Sequence, residues 1–135
     1  MNKRYIAMIP ARLNSKRIPK KNIRYLGNKP LIQYAIELAG NENRFESIWI
    51  NTESKELSVI AGKMGINYHP RPPYLAGDTV TNREFTYEFL QKHDCDYVIM
   101  VNTTSPLIRQ RTMSQFIDFV ENYDFDTVLS VIAYW

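Results

Sequence analysis

A single cysteine, Cys95, is all the 135 residues contain. That excludes an internal disulfide or a Cys-based metal cluster and points to a reducing compartment, the cytoplasm. No apolar run approaches the roughly 18 residues of a membrane span, and the N-terminus lacks the apolar stretch of a secretory signal. Internal repeats, low-complexity tracts and linkers are also missing. No glycine lies between Arg12 and Asn22, so that stretch is not a phosphate loop of the GxxxxGK[ST] type. The two histidines, His69 and His93, have no Ser, Cys or acid at triad spacing and read as loop or surface residues. Most telling, residues 1–36 lack any acid. They hold nine of the seventeen Lys/Arg and none of the fourteen Asp/Glu, a net of +9 against −6 for the remainder.

What is present describes an ordinary globular chain, with 44% hydrophobic and 23% charged residues, of a length that suits one domain over 1–135. Arg4–Pro10, Ser47–Thr52, Ile66–His69, Asp96–Asn102 and Thr127–Ala133 are short apolar or β-branched runs and read as strands. Between them lie helical periods. Leu31, Tyr34, Ala35 and Leu38 predict one inward face of a helix that opens at Pro30 and closes at Gly40. Leu57, Ile60, Ala61 and Met64 predict a second helix over Ser54–Met64, with Gly65 as a left-handed cap. Thr81 and Glu84 form a capping box for a third helix reaching about His93. Met113, Phe116, Ile117 and Val120 mark a fourth over Arg111–Asn122. Phe and Tyr residues on these helices, together with Trp49, are assigned to the core. Alternation of solidly apolar strands with helices predicts an α/β, Rossmann-like three-layer sandwich with a mostly parallel sheet.

In such sheets ligands bind beyond the carboxyl ends of the strands. The polar, basic and Pro-rich connections all fall on that edge: Ala11–Asn22, Asn51–Glu53, Arg71–Asn82 and Asn102–Arg109. The first concentrates Arg12, Lys16, Arg17, Lys20 and Lys21 within ten residues. A cation about 4 Å from one phosphate charge gains around 4 kcal/mol at an effective dielectric near 20, before desolvation. Charge alone would equally suit a solvated face or a nucleic-acid patch. The order of residues is more specific. PARLNSKRIPKKN (Pro10–Asn22) resembles PAR-x-x-S-K-x-I-P-x-K-N, LGNKPLIQYAIELA resembles L-x-x-K-P-L-I-x-x-x-I-x-x-A, RPPYLAGDT resembles RP-x-x-LA-x-DT, and NTTSPL resembles QPTSPLR. These four segments, in this order, resemble the CMP-sialic acid synthetases (acylneuraminate cytidylyltransferases) and their relatives for other nonulosonic acids.

The resemblance implies a nucleotidyltransferase-type fold and a reaction in which a nine-carbon 2-keto sugar acid attacks the α-phosphate of CTP, with Mg²⁺ assistance, to give a CMP-sugar and pyrophosphate. On the matching positions it implies that Arg12, Lys16 and Lys21 hold the triphosphate. Ala11, Ser15, Asn22, Val80 and Asn82 would contact the nucleotide, Arg71 would sit near the cytosine, and Asn102, Thr104 and Ser105 would meet ribose and sugar. It also implies no membrane or nucleic-acid partner and, for the full-length family, a homodimer. Asn102 stands for the motif's Gln, Thr103 for its Pro, Ile108 for its Arg, Asn82 for a small hydroxyl residue and Glu53 for an Asp. Asp78 is the one motif carboxylate on this edge and is expected to order its loop instead of binding metal. The family's metal aspartates and dimerisation element are expected beyond Trp135, so the chain reads as a truncated member. A catalytically silent CTP-binding protein is one alternative, and a basic nucleic-acid-binding module is another.

Overall fold

The computed structural model describes residues 3–13, 20–104 and 106–123. Four parallel strands form its sheet: β1 (Tyr5–Pro10), β4 (Phe45–Thr52), β5 (Asn67–Pro70) and β6 (Tyr97–Met100), in the order β5-β4-β1-β6. Between β1 and β4, β2 (Tyr25–Leu26) and β3 (Lys29–Pro30) pair as a small antiparallel ladder. Gly27 makes its tight turn at φ 68°, a conformation that favours residues without a Cβ. Ala11–Lys29 has no helical period and carries Pro19 and Gly27, which reads as a long loop; the structure places this ladder and a short 3₁₀ turn, Lys21–Ile23, within it. The expected fifth strand, Thr127–Ala133, lies outside the described residues.

β1 explains the layering. Tyr5, Ala7 and Ile9 face one side and Ile6 and Met8 the other, all buried, because successive strand side chains alternate and both faces are covered. On the first face pack α1 (Leu31–Gly40), α2 (Lys55–Met64) and α4 (Gln110–Asn122), through residues such as Ile36, Leu57 and Ile117. On the second packs α3 (Asn82–Leu90), through Phe85 and Phe89. The chain runs outward from β1 to β4 and β5, then returns past β1 to β6. A right-handed crossover in the reverse direction puts α3 on the opposite face.

The inward face of α1 is one residue away from the expected one: Ile32, Ala35, Ile36 and Ala39 are buried, whereas Leu31, Tyr34 and Leu38 are only partly covered. Both sets obey helical spacing, and the sheet selects the one whose alanines allow close approach. Gly40 is the last helical residue and right-handed Asn41 caps it. α2 ends as expected at Gly65, with φ 72°. Gly65→Ala, which meets no atom within 4 Å, is expected to cost about 1 kcal/mol from backbone strain alone, measurable by urea denaturation. Ser54 caps α2, and Thr81 with Glu84 forms the reciprocal box on α3. Phe119 and Tyr87, assigned to the core by their spacing, are exposed.

α3 also overturns the reading of the histidines. It ends at Leu90, before His93, and the chain folds back so that His93 meets His69. His69 is 2% exposed, with Nδ1 2.9 Å from His93 Nε2 and Nε2 2.7 Å from Glu88 Oε1. The His93 ring lies between Trp49 and Phe89, each with its centroid 4.2 Å away. With His69 neutral and donating from Nε2 to Glu88, its Nδ1 accepts from His93 Nε2–H. Burial, then the neighbouring His69, pushes His93 below the ordinary imidazole range. Burial alone would raise Glu88, but hydrogen bonds from His69 and Lys92 hold it below the usual carboxylate value.

Both shifts act in the same direction. A His held neutral contributes stability that is complete above its unfolded value, near 6.5, and is lost as the unfolded chain takes up its proton below that pH. Thermal stability is therefore expected to fall between pH 7 and 5, with a slope of at most about 1.4 kcal/mol per pH unit for one proton. His93→Gln, which retains an N–H for His69 but cannot titrate, should flatten that decline. An equally steep decline in the variant would sink this account.

Candidate functional site

The strand order reverses beside β1, between β4 and β6, and the segments leaving the carboxyl ends of β1, β5 and β6 converge there. Ala11 N–H donates to the Asn51 carbonyl at 3.0 Å and Val101 N–H to that of Met8 at 2.9 Å, so the backbone stays in register up to the edge. Beyond it opens a cleft of about 200 Å³. Pro10 at the end of β1 lines it with Ala11 and Arg12 just beyond, Lys21 and Asn22 from a short 3₁₀ turn, Arg71 just after β5, Asn82 and Phe85 from α3, and Asn102–Thr104 from the segment after β6.

Arg71 is the most constrained side chain in it. Only 4% exposed, it donates from Nε to Asn51 Oδ1 at 3.1 Å and from Nη2 to the Asn51 carbonyl at 3.0 Å. Its guanidinium carbon lies 4.0 Å from the centre of the Phe85 ring. Burial lowers its pKa to about 10, so it keeps its charge at neutral pH. Among the described residues no carboxylate forms an ion pair with it, although Glu53 attracts it at longer range. A buried cation whose fixed partners are neutral is costly, and its remaining N–H groups are set to meet an acceptor arriving from solvent.

Arg12, on the segment leaving β1, also lines the cleft. Its Nη1 donates to Asp78 Oδ1 at 2.8 Å and to the Ala76 carbonyl at 3.2 Å, tying the β1 segment to the segment after β5. Asp78 is thereby joined to Arg12 across the two segments. Glu53 Oε1 accepts from Leu13 N–H at 2.8 Å. Asn22 is 6% exposed; its Nδ2 donates to the Arg12 carbonyl at 2.6 Å and its Oδ1 accepts from the Thr103 hydroxyl.

Three other cations of the basic head pair with acids. Arg4 pairs with Glu46 and Asp94, Lys20 with Glu56 and Lys29 with Glu37. Arg4 and Lys29 are held above their ordinary values, first by the hydrogen bonds they donate to those acids. The acidic remainder of the chain thus meets part of the head, while Arg12, itself paired with Asp78, and Lys21 line the cleft together with Arg71 from outside the head.

Of the residues expected in a site, the fold brings together Ala11, Arg12, Lys21, Asn22, Arg71, Asn82, Asn102 and Thr104. Val80 is not among the lining residues and packs against the core of Leu75 and Phe85. Ser15, Lys16 and Ser105 lie outside the described residues. Sequence reasoning missed Asn51, Phe85 and Thr103. Thr103 carried a signal, since it departs from the proline of the motif, and Asn51 carried one in its place on the ligand edge; Phe85 carried none beyond its place on a helix. Among the described residues no three His, Cys, Asp or Glu converge as a metal site, and Asp78 is committed to Arg12. This donor set does not fit a protein-held Mg²⁺.

A family model described as Cytidylyltransferase matches residues 6–133. An N-acylneuraminate cytidylyltransferase A of Danio rerio is 32% identical over 127 residues, which are 93% of this chain and 30% of that protein. A Helicobacter pylori protein named pseudaminic acid cytidylyltransferase and UDP-2,4-diacetamido-2,4,6-trideoxy-beta-L-altropyranose hydrolase is 36% identical over 112 residues, 80% of this chain and 22% of that protein. The chain thus spans 30% or less of the length of these two relatives. Among solved structures, a CMP:2-keto-3-deoxy-manno-octonic acid synthetase complexed with CTP superposes with a TM-score of 0.78 at 22% identity, covering 88% of this chain and 48% of that one. At that identity the likeness is one of fold.

Proposed function

The chain belongs to the cytidylyltransferase family, and we propose on that premise that its cleft binds CTP and serves transfer of the cytidylyl group to a sialic-acid-like nonulosonic acid. The sugar's anomeric hydroxyl forms a bond to the α-phosphorus, the bond to the bridging oxygen breaks, pyrophosphate leaves, and the hydroxyl proton passes to solvent. The observation that carries this reading is the convergence of Arg12, Lys21 and Arg71 on one cleft at the switch point. Arg12, anchored through Nη1, retains Nε and Nη2 for phosphate oxygens, and Lys21 adds a mobile point charge. Positioning and charge stabilisation are most of what such a transfer asks of protein. Arg71 presents donors only, which suits the acceptor O2 and N3 of cytosine.

Mg²⁺ enters this reading with the nucleotide, whose phosphates are themselves its ligands. The cytoplasm, where thiols such as Cys95 stay reduced, is the compartment the reading assigns. No helix among the described residues is long and apolar enough to cross a membrane. The relatives' names offer neuraminate and pseudaminate as acceptor sugars, and both belong in the assay. Pyrophosphate release from CTP, Mg²⁺ and one of these acids is the expected result. A CTP-dependent rise in melting temperature without release would favour the silent, CTP-binding alternative. Neither signal, from folded protein, would refute both.

A further inference from the structure

Behind the cleft the side chains of Thr103 and Asn22, distant in sequence, form one buried hydrogen-bonded unit with the backbone of Arg12. The Arg12 carbonyl can only accept, so the amide atom 2.6 Å from it is Nδ2 of Asn22. Oδ1 must then face Thr103, and because Oδ1 also only accepts, the Thr103 hydroxyl is the donor. Thr103 is 4% exposed and Asn22 6%, so water has little access to replace either partner. The residue before the 3₁₀ turn, Lys20, sits at φ 55°, a left-handed conformation that a non-glycine residue holds only where its surroundings over-determine it. This strained position lies two residues before Asn22.

We propose that Thr103 is a positioning residue for the cleft: its hydroxyl sets the orientation of the Asn22 amide and so pins the Arg12 backbone to the 3₁₀ turn that carries Lys21. One hydroxyl at the end of β6 thereby keeps the Arg12 and Lys21 backbones in register, while Arg71 is held separately by Asn51. Proline, which the motif has at this position, could not make this contact. A residue that only packed there would be replaceable by valine, which has the same shape without the donor. As a positioning residue it is not, because valine leaves the buried Oδ1 unpaired.

The affinity part of this proposal rests on the CTP reading above; the structural part does not. Hydrogen exchange at the amides of Ile23 and Arg24, which close the 3₁₀ turn, is measured in the ligand-free wild type, Thr103→Val and Thr103→Ser, alongside CTP titration. Exchange is expected to quicken about tenfold in the valine variant and to return near the wild-type rate in the serine variant, with CTP affinity falling and recovering in parallel. Valine exchange and CTP affinity equal to wild type would overturn the proposal. Failure of the wild type to bind CTP would overturn the CTP reading, and the exchange rates would still decide the role of Thr103. If the valine variant does not fold, the wild-type Asn22 side-chain amide decides: slow exchange of its hydrogens supports the proposal, and exchange as fast as in an exposed asparagine refutes it.

Discussion

Arg71→Met is expected to weaken CTP binding by roughly a hundredfold, the loss that follows from removing charge-assisted hydrogen bonds in a desolvated site. Methionine keeps much of the length and apolar contact of the arginine stem against Phe85 but has no donors. Stability should change much less, because two effects oppose each other. The variant no longer buries a cation, yet it leaves Asn51 Oδ1 without its donor in a residue that is 0% exposed. Arg71→Lys should not restore binding, since one ammonium cannot hold the two Asn51 oxygens and still face a ligand. Calorimetric titration with CTP, set beside the melting temperature, separates the two effects. Wild-type affinity in a folded Arg71→Met protein would remove Arg71 from the site.

The largest stability effect is expected at Phe89. Its ring is 0% exposed, and its centroid lies 4.9 Å from that of His69, 4.2 Å from His93 and 6.2 Å from Trp49. Phe89→Ala should cost about 3–5 kcal/mol in urea denaturation, because the lost transfer energy and the cavity add. Folded domains have only about 5–15 kcal/mol in total, so the variant should lie near its unfolding threshold. Phe89→Leu, which fills most of the space, should cost under half as much. The loss bears on the cleft as well, since α3 carries Asn82 and Phe85 into it. CTP should therefore raise the melting temperature of Phe89→Ala, because any ligand of the folded state alone stabilises it. A cost near zero would mean that the α3 layer is held some other way.

Much of this was legible in the order of residues. Tyr5–Pro10 is apolar on both faces and Ile48–Ile50 continues that pattern beside it, as a covered parallel sheet requires. The capping box of Thr81 and Glu84 and the left-handed Gly65 are local signals, formed within a few residues, and the fold keeps them as expected. The α1 stripe was ambiguous for a local reason too: two sets of apolar residues share the helical spacing, and only the sheet distinguishes them.

The histidines failed differently. His69 and His93 have no nearby motif, and their partnership arises because β5 and the segment after α3 are folded against each other. The nine cations of the head were all equally visible in the sequence. Which of them would be taken up by acids and which would face the cleft was not, because the partners of Arg4, Arg12 and Lys20 are 36 to 90 positions away. Periodicity and capping are short-range physics, so local sequence suffices to give strands, helices and the edge where their loops gather. Charge pairing, burial and the orientation of an amide depend on distances across the sheet. Only the packed chain decides that Asn51 holds Arg71, that Asp78 anchors Arg12, and that Thr103 faces Asn22.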